Sequence, residues 1–272
     1  MKLLEQAKRI LAMCTVAACV ACGQSEPAQN TQTAPQSPEP APTVEVKTYT
    51  VAVDAAYAPF EYQDEHGEIV GFSVDLMKAI ADNQGINFEF SNAPYEGIFA
   101  RLGTGERDVV LASATITEER KQSMDFSDPY FEATQMILVQ DSNTDINSFE
   151  DLKDKLVSVQ TGTTGDLAMQ KLQGTTSDKI KRMESMPLAL NELLKGGVDA
   201  SVGDNGVIQY FAANNPSVTF RTMVDPSFEK EEYGFVVRKD RNDELLPTIN
   251  AGLKNIRENG TYEKIHQHWF GK

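Results

Sequence analysis

The chain has 272 residues, with 40 acidic against 25 basic side chains, and its formal net charge at pH 7 is −15. This surplus of carboxylates argues against nucleic acid or an anionic membrane face as a partner. Cys14, Cys19 and Cys22 are the three cysteines, all near the start, so the rest of the chain can form no internal disulfide and must be held by its core.

The first residues predict an export signal. A basic start is followed by an uncharged, mostly apolar run from 10 to 21, and small residues then lead to Cys22. This order is typical of a secretory signal peptide, and the run is shorter than the roughly 20 apolar residues that span a bilayer. A buried amphipathic helix would need polar residues at a helical period in this run, and only Thr15 could serve.

Small residues followed by a cysteine also resemble the end of a bacterial lipoprotein signal, in which the cysteine becomes acylated. Cys19 has the better apolar residue three positions before it, Val16, but leaves a very short apolar run. Cys22 allows a fuller run and is followed by Gly23 as a flexible exit. We therefore expect a signal peptide at 1–22 with Cys22 as the lipidated residue, and Cys19 stays the alternative.

The segment 23–46 predicts a linker. It is rich in Pro, Gln, Thr, Ser and Ala and has almost no large apolar side chain. Such a stretch cannot bury enough surface to offset the entropy lost on ordering, so we expect a disordered tether between a lipid anchor and a globular body.

From residue 47 onward, strands and helices alternate at the spacing of α/β units. The predicted elements of a first cycle are a strand at 47–53, a hairpin at 60–72 that turns at Gly67, a helix at 74–81, a strand at 86–90, a helix at 95–102 and a strand at 108–112.

A second cycle follows, and two such cycles predict two similar lobes. Ser148 and Asp151 form a capping pair at a helix start, and Pro187 occupies an allowed first-turn position. The predicted elements are strands at 156–159 and 200–203 and helices at 166–172, 187–195, 207–213, 245–258 and 262–270.

Five motifs in this part of the chain carry a family resemblance. They are DAAYAPFE at 54–61, GFSVDL at 71–76, TITEER at 115–120, FSDPY at 126–130 and NGTY at 259–262. Together and in this order they resemble the polar amino-acid family of bacterial extracellular solute-binding proteins, which includes lysine/arginine/ornithine, histidine, arginine, glutamine and cystine receptors. The resemblance covers about 49 to 270.

The resemblance implies an α/β, two-lobe periplasmic-binding-protein fold with a central ligand cleft and a two-strand hinge. The first lobe would comprise 47–133 and 238–272 and the second 139–232, with hinge segments at 134–138 and 233–237. Hinge closure would bury a ligand between the lobes. The closed form would then be recognised by the membrane subunits of an ABC importer.

Arg120 is the predicted clamp for the carboxylate of a free amino acid. A guanidinium offers two parallel donors to two carboxylate oxygens, and the position matches the arginine of the family's Ile-Thr-x-x pattern. The alternative is a surface arginine in a salt bridge with Glu118 or Glu119.

Asp204 follows a predicted buried strand, where ligands of α/β folds bind, and by resemblance it accepts the ligand's α-ammonium from the second lobe. The alternative is a helix N-cap, and the two roles are compatible. Ser113, Thr115 and Thr164 are expected to complete the polar set as backbone or hydroxyl partners. Gly162 would let the chain approach the carboxylate closely.

Tyr57 and Tyr95 align with the aromatic walls that sandwich the ligand's side chain in this family; ordinary core tyrosines are the alternative. By resemblance Asp54 meets the far end of the ligand, where a carboxylate favours a guanidinium or ammonium head. Gln160 and Gly203 replace the lysine and the histidine of the glutamine receptors. These departures favour arginine or lysine as the ligand.

The sequence therefore predicts a monomeric, lipid-anchored binding protein of the periplasm or cell surface that delivers arginine or lysine to an ABC importer. A glutamine, histidine or cystine receptor stays an alternative, as does a periplasmic dehydratase-like enzyme on the same fold. Such an enzyme needs a general acid or base, and the histidines are His66, His266 and His268. The last two, two residues apart on a helix, would not face each other as a metal pair, so no metal or cofactor is expected.

Overall fold

The computed structural model describes residues 46–271. The predicted signal peptide, the predicted lipidation site at Cys22 and nearly all of the predicted linker lie outside the described residues. Within the described range, no helix is both long enough and apolar enough to cross a membrane.

Strands and helices alternate along this range. The strands are β1 (Thr48–Val53), β2 (Ala56–Tyr57), β3 (Glu61–Gln63), β4 (Ile69–Val70), β5 (Asn87–Asn92), β6 (Val109–Leu111), β7 (Met124–Phe126), β8 (Phe131–Gln140), β9 (Val157–Gln160), β10 (Ile180–Met183), β11 (Ala200–Asp204), β12 (Phe220–Met223), β13 (Lys230–Tyr233) and β14 (Val236–Arg238). The helices are α1 (Phe72–Gln84), α2 (Ala100–Gly103), α3 (Thr164–Gln173), α4 (Met186–Leu194), α5 (Asn205–Asn214), α6 (Leu245–Glu258) and α7 (Thr261–Phe270), with 3-10 turns at Arg120–Gln122 and Glu150–Asp154.

The first lobe is built on a five-stranded sheet with the order β5-β1-β6-β14-β7. β1 runs parallel to β5 and β6, whereas β14 runs antiparallel to β6 and β7. Val53 pairs with Leu111 at the carboxyl ends of β1 and β6. The two segments that leave this edge, starting at Asp54 and Ala112, therefore begin side by side.

The second lobe is built on a sheet with the order β10-β9-β11-β8-β12, and β13 also pairs with β8. β9, β10 and β11 are parallel, and β8 is antiparallel to β11 and β12. Gln160 and Asp204 end β9 and β11 and so come to one edge. The chain reaches this sheet along β8 and leaves it from β13 to β14, which gives two connections between the lobes.

Amphipathic helices supply the apolar faces that cover the first sheet. In α1, Val74, Met77 and Ile80 recur at helical spacing and are fully buried. The helix packs on α6, where Gly252 allows close approach because an added Cβ would lie 2.7 Å from the Cγ2 of Ile80. Burial of one such side chain contributes about 1.5–3 kcal/mol, so this face fixes α1 against the sheet.

Most predicted elements are confirmed, with the largest difference in the region predicted as a helix at 95–102. There, only Ala100–Gly103 is α-helical, and the residues before it form turns around Gly97, whose φ is +77°. The capping pair is confirmed, since Asp151 accepts from the Ser148 N–H at 2.9 Å, but it opens a 3-10 turn. The residue boundaries of the two lobes stay a prediction.

Candidate functional site

A cavity of about 10 Å³ lies between the carboxyl edges of the two sheets. This volume is far below the roughly 300–1,000 Å³ of drug-sized pockets and is close to the space that one water molecule needs, so the cleft is nearly closed. Seven of the eight predicted ligand-binding side chains line it, and the eighth, that of Asp54, contacts a lining residue. The lining residues are Tyr57, Tyr95, Ala112, Ser113, Thr115, Arg120, Gln160, Thr163, Thr164 and Asp204.

Arg120 opens a 3-10 turn and directs its side chain into the cleft. Its Nη1 donates to the Thr115 carbonyl at 2.9 Å, and its Nη2 donates to the Tyr95 hydroxyl at 2.9 Å and to the Gly162 carbonyl at 3.3 Å. The predicted alternative, a salt bridge with Glu118 or Glu119, does not form among the described residues, because the guanidinium binds these three oxygens instead and Glu118 pairs with Lys121 at 2.8 Å. Since these partners are all neutral, the guanidinium charge is free to pair with an anion.

Asp204 stands across the cavity at the end of β11, where its side chain is 5% exposed. Its carboxylate accepts from the hydroxyls of Tyr57 and Tyr233 and from Nε2 of Gln135. It occupies the N-cap position of α5, yet its side chain makes no capping hydrogen bond. Asp204 therefore holds the N-cap position that the alternative predicted, without capping the helix through its side chain. Burial raises the pKa of this carboxyl, and the three donors oppose that rise.

Ser113 lies on the loop after β6 in a left-handed conformation with φ of +42°, which is uncommon for a residue with a side chain. Its hydroxyl donates to Glu61 Oε2 at 3.1 Å, beneath the cleft. Glu61 is fully buried, and burial raises its pKa well above the ordinary value. The hydroxyl of Ser113 thus anchors the loop, a role that the sequence analysis missed.

Thr115 and Thr164 face each other from opposite lobes, and both bind Glu231 of β13. The hydroxyls donate to Glu231 Oε2 at 2.6 and 2.8 Å, and Gln135 Nε2 donates to Oε1 at 3.0 Å. Burial is the main cause that raises the pKa of Glu231, followed by the charge of Asp204. The sequence analysis missed Glu231, because β13 was not predicted and adjacent glutamates look like surface charge.

Tyr57 and Tyr95 form the walls of the cavity and are 5% and 7% exposed. Tyr57 donates its hydroxyl to Asp204 at 2.7 Å, and the Tyr95 hydroxyl accepts from Arg120. Burial raises both tyrosine pKa values, so both hydroxyls stay neutral at pH 7. The hydroxyls are tied to charged groups inside the cleft, unlike those of core tyrosines that reach the surface.

Gly162 and the start of α3 lie on the second-lobe side of the cavity. Gly162 has φ of +76°, and an added Cβ would contact the Tyr95 ring at 3.9 Å. Its N–H donates to Asp166 at 3.0 Å, and Arg182 pairs with the other oxygen of Asp166 at 2.9 Å. Thr163 caps α3 by accepting from the Asp166 N–H. This network fixes the loop, so Thr164 begins the helix at the cavity wall.

Asp54 directly follows β1 at the other end of the cleft and is 4% exposed. Gln160 donates its Nε2 to Asp54 Oδ2 at 2.9 Å, and its own Oε1 is buried without a hydrogen-bond partner in the part of the chain described. Burial raises the pKa of Asp54 to about 6, and the Gln160 hydrogen bond partly offsets the rise. No basic side chain among residues 46–271 lies within 4.0 Å of this carboxylate.

The cleft therefore carries more negative than positive groups. Asp204 lines the cavity, and Asp54 and Glu231 lie behind lining residues to which they are hydrogen-bonded, whereas Arg120 supplies the single guanidinium of the lining. A ligand with net positive charge would balance this surplus better than a neutral one. No group of His, Cys, Asp and Glu side chains with metal-binding geometry occurs within 46–271.

Comparison with known proteins places the chain among binding proteins. The family model for bacterial extracellular solute-binding proteins, family 3, matches residues 49–272. A probable histidine-binding protein of Neisseria gonorrhoeae is 43% identical over 227 residues, which make up 83% of this chain and 84% of that protein.

Solved structures agree with this match. The arginine-, lysine-, histidine-binding protein ArtJ from Geobacillus stearothermophilus has a TM-score of 0.79 and 44% identity, over 83% of this chain and 96% of that one. An ancestral arginine-binding protein bound to arginine has a TM-score of 0.77 and 44% identity, over 82% of this chain and 98% of that one. The two-lobe fold with a central cleft, predicted from the sequence, is thereby confirmed.

Proposed function

Because the chain belongs to family 3 of the bacterial extracellular solute-binding proteins, we propose that it binds a free basic amino acid, arginine or lysine, and delivers it to an ABC importer. The protein acts as a receptor and leaves the ligand chemically unchanged. Membership of this family supports the binding of an amino acid, and the side chains of the cleft support the choice of a basic one.

The common part of every amino acid needs a cation for its carboxylate and an anion for its ammonium. Arg120 supplies the cation, since its guanidinium holds only neutral partners and can offer paired donors to two oxygens. Asp204 supplies the anion from the opposite lobe. Arg120 and Asp204 thus form one end of the cleft, with Ser113, Thr115 and Thr164 beside them. This end, which would bind the ligand's α-carboxylate and α-ammonium, is called the backbone end.

Asp54 carries the proposal of a basic ligand. Its carboxylate is 4% exposed, and Gln160 is a neutral neighbour, so burial of this charge is not offset by a cation among residues 46–271. A desolvated carboxylate of this kind gains most from a guanidinium or ammonium partner. Tyr57 and Tyr95 would flank the aliphatic stem that reaches it. The names of the relatives, which bind arginine, lysine or histidine, support the same class.

Closure of the lobes is the proposed signal to the importer. Hydrogen bonds already join the lobes, among them those from Arg120 to Gly162, from Gln160 to Asp54 and from Tyr57 to Asp204. A ligand that pairs with both Arg120 and Asp204 would favour the closed form over an open one. The predicted hinge segments at 134–138 and 233–237 would carry the motion.

The protein is proposed to act outside the cytoplasm, as the family's name implies, in the periplasm or at the cell surface. Acylation of Cys22, or of Cys19 as the alternative, would tether it to a membrane, with 23–46 as the leash. Intact mass measurement of the protein from membranes tests this: a diacylglycerol-sized increase on a chain that begins at Cys22 is expected. An unacylated, soluble chain would contradict the anchor.

Native mass spectrometry of the exported protein, purified without added ligand, tests the ligand class. Retained arginine or lysine is the expected result, because a closed cleft releases its ligand slowly. Retained glutamine or cystine would overturn the basic ligand and leave the receptor function standing. Chromatography after incubation with amino acids and prephenate-like acids would show a product if the chain were the dehydratase-like enzyme, and none is expected.

A further inference from the structure

Glu231 lies behind the cavity wall and gathers three donors from both lobes. Oε2 accepts from the hydroxyl of Thr115 in the first lobe and from that of Thr164 in the second. Oε1 accepts from Nε2 of Gln135, which also donates to Asp204. Both threonines line the cavity, whereas Glu231 itself does not. Glu231 therefore acts on the cavity through the groups that it holds.

The hydrogen bonds to Glu231 fix the direction in which the two threonine hydroxyls donate. A threonine hydroxyl has one hydrogen to donate and two lone pairs that accept. The Thr115 hydrogen is directed to Glu231 at 2.6 Å, so the only capacity that this hydroxyl has left is to accept. Thr164 also gives its hydrogen to Glu231, at 2.8 Å. Both hydroxyls thus present lone pairs to any further partner.

An ammonium group has three donors and no acceptor, so it fits a hydroxyl that can only accept, whereas a carboxylate does not. Asp204 and Thr115 both line the cavity, so one cationic group bound there can donate to both. We propose that Glu231 is a positioning residue that holds the Thr115 hydroxyl as an acceptor for the ligand's α-ammonium without touching the ligand. This inference rests on the proposed binding of a free amino acid.

The neighbouring Glu232 provides a matched control. Successive side chains of a strand point to opposite faces, and the Glu232 side chain is exposed while that of Glu231 is half-buried in the network. The two positions share the same strand, the same charge and the same local sequence. Glu232→Gln therefore makes the same replacement of a carboxylate by an amide, with the same loss of charge, at a side chain that lacks the contacts to Thr115 and Thr164.

The test compares Glu231→Gln with Glu232→Gln in calorimetric titrations. The first ligand pair is arginine and 5-guanidinopentanoate, which lacks only the α-ammonium; the second is histidine and imidazole-4-propionate. Glu231→Gln should weaken the amino acids about tenfold and change their des-amino analogues little, because one hydrogen bond to a charged group is lost. Glu232→Gln should leave all four affinities unchanged. Equal weakening of both members of a pair, or no weakening, would overturn the role of Glu231.

Thr115→Val keeps the proposal falsifiable if Glu231→Gln folds poorly, and a double-mutant cycle of the two changes tests the mechanism where both variants fold. Thr115→Val alone should show the same selective loss of the amino acids over their des-amino analogues. If Glu231 acts through this hydroxyl, the double variant should bind arginine no more weakly than Thr115→Val does. Additive losses would contradict the mechanism. A wild-type protein that binds neither arginine nor histidine would overturn the proposed function instead, so the two failures are distinguishable.

Discussion

The two ends of the cleft are built differently. At the backbone end, Arg120 and Asp204 place opposite charges on opposite lobes, and a dense network of threonine, tyrosine and glutamine side chains supports them. At the far end, Asp54 and Gln160 place a carboxylate and an amide against each other, and no cation of the described range pairs with that carboxylate. The first arrangement suits a zwitterion, which every amino acid shares, and the second suits one class of side chain.

This difference separates affinity from specificity. Removal of a group at the backbone end should weaken all amino acids together, because each of them presents the same carboxylate and ammonium there. Removal of the charge at the far end should instead change the order of preference among ligands. Mutations at the two ends are therefore expected to give distinct patterns across one ligand panel.

The largest effect is expected for Arg120→Ala. The variant leaves the ligand's carboxylate buried without a cation, so binding of every amino acid should weaken by about 3 kcal/mol or more. Calorimetric titration with arginine, lysine and glutamine measures the loss. Arg101→Ala is the control, since Arg101 pairs with Glu106 at the surface. Near-wild-type affinity in Arg120→Ala would mean that the carboxylate clamp lies elsewhere.

Asp54→Asn should have a smaller and selective effect. A neutral amide removes a charge-assisted bond from a guanidinium or ammonium but can still hydrogen-bond the side-chain amide of glutamine. Arginine and lysine should therefore lose about 2 kcal/mol relative to glutamine. The same titrations measure this ratio, with Asp82→Asn on the exposed face of α1 as the control. Uniform weakening of all ligands would show that Asp54 does not read the side chain.

The smallest effect is expected from pH. Because burial raises the pKa of Asp54 to about 6, the carboxylate is mostly ionised at pH 7 and mostly protonated at pH 5. If only the ionised form pairs with the cation, arginine affinity should fall about tenfold between these values. Titrations at several pH values measure the slope. Asp54→Asn should remove that part of the slope, and an unchanged slope in the variant would assign it to other carboxyls.

The raised pKa of Asp54 also makes the free energy of unfolding depend on pH. The folded, ligand-free protein holds this proton more tightly than the unfolded chain, in which an aspartate has a pKa of about 3.9. Protonation of Asp54 therefore contributes fully to the free energy of unfolding below a pH of about 3.9, and this contribution is lost as pH rises through about 6. Thermal melting should show the opposite trend for the stabilisation by arginine, which should be larger at pH 7 than at pH 5.

The sequence predicted the regular elements best where one strong pattern decides the structure. The helix at 245–258 has apolar residues at helical spacing, and its predicted bounds coincide with those of α6. The segment at 95–102 carries a weaker pattern, and a glycine with positive φ breaks it into turns. β12, β13 and β14 depend on pairing with distant partners, so no local pattern indicated them.

The residues of the site also divide into those that a local motif indicated and those that depend on distant parts of the chain. Arg120, Asp204 and Tyr57 lie on or next to recognisable motifs and strand ends, and the structure brings them to one cavity. Glu231 and Gln135 could not be found, because their importance arises from hydrogen bonds across more than 60 residues of sequence. Asp204 matched the favoured residue type of an N-cap, yet burial and tyrosine hydroxyls gave its carboxylate different partners.

Calorimetric titration of the wild-type protein, freed of bound ligand, with arginine, lysine, histidine, glutamine and cystine tests the central claim most directly. The surplus of buried carboxylates, and Asp54 above all, predicts that arginine or lysine binds tighter than glutamine and cystine. Tighter binding of glutamine or cystine would contradict the assignment of a basic ligand, and absence of binding by all five would contradict amino-acid capture itself.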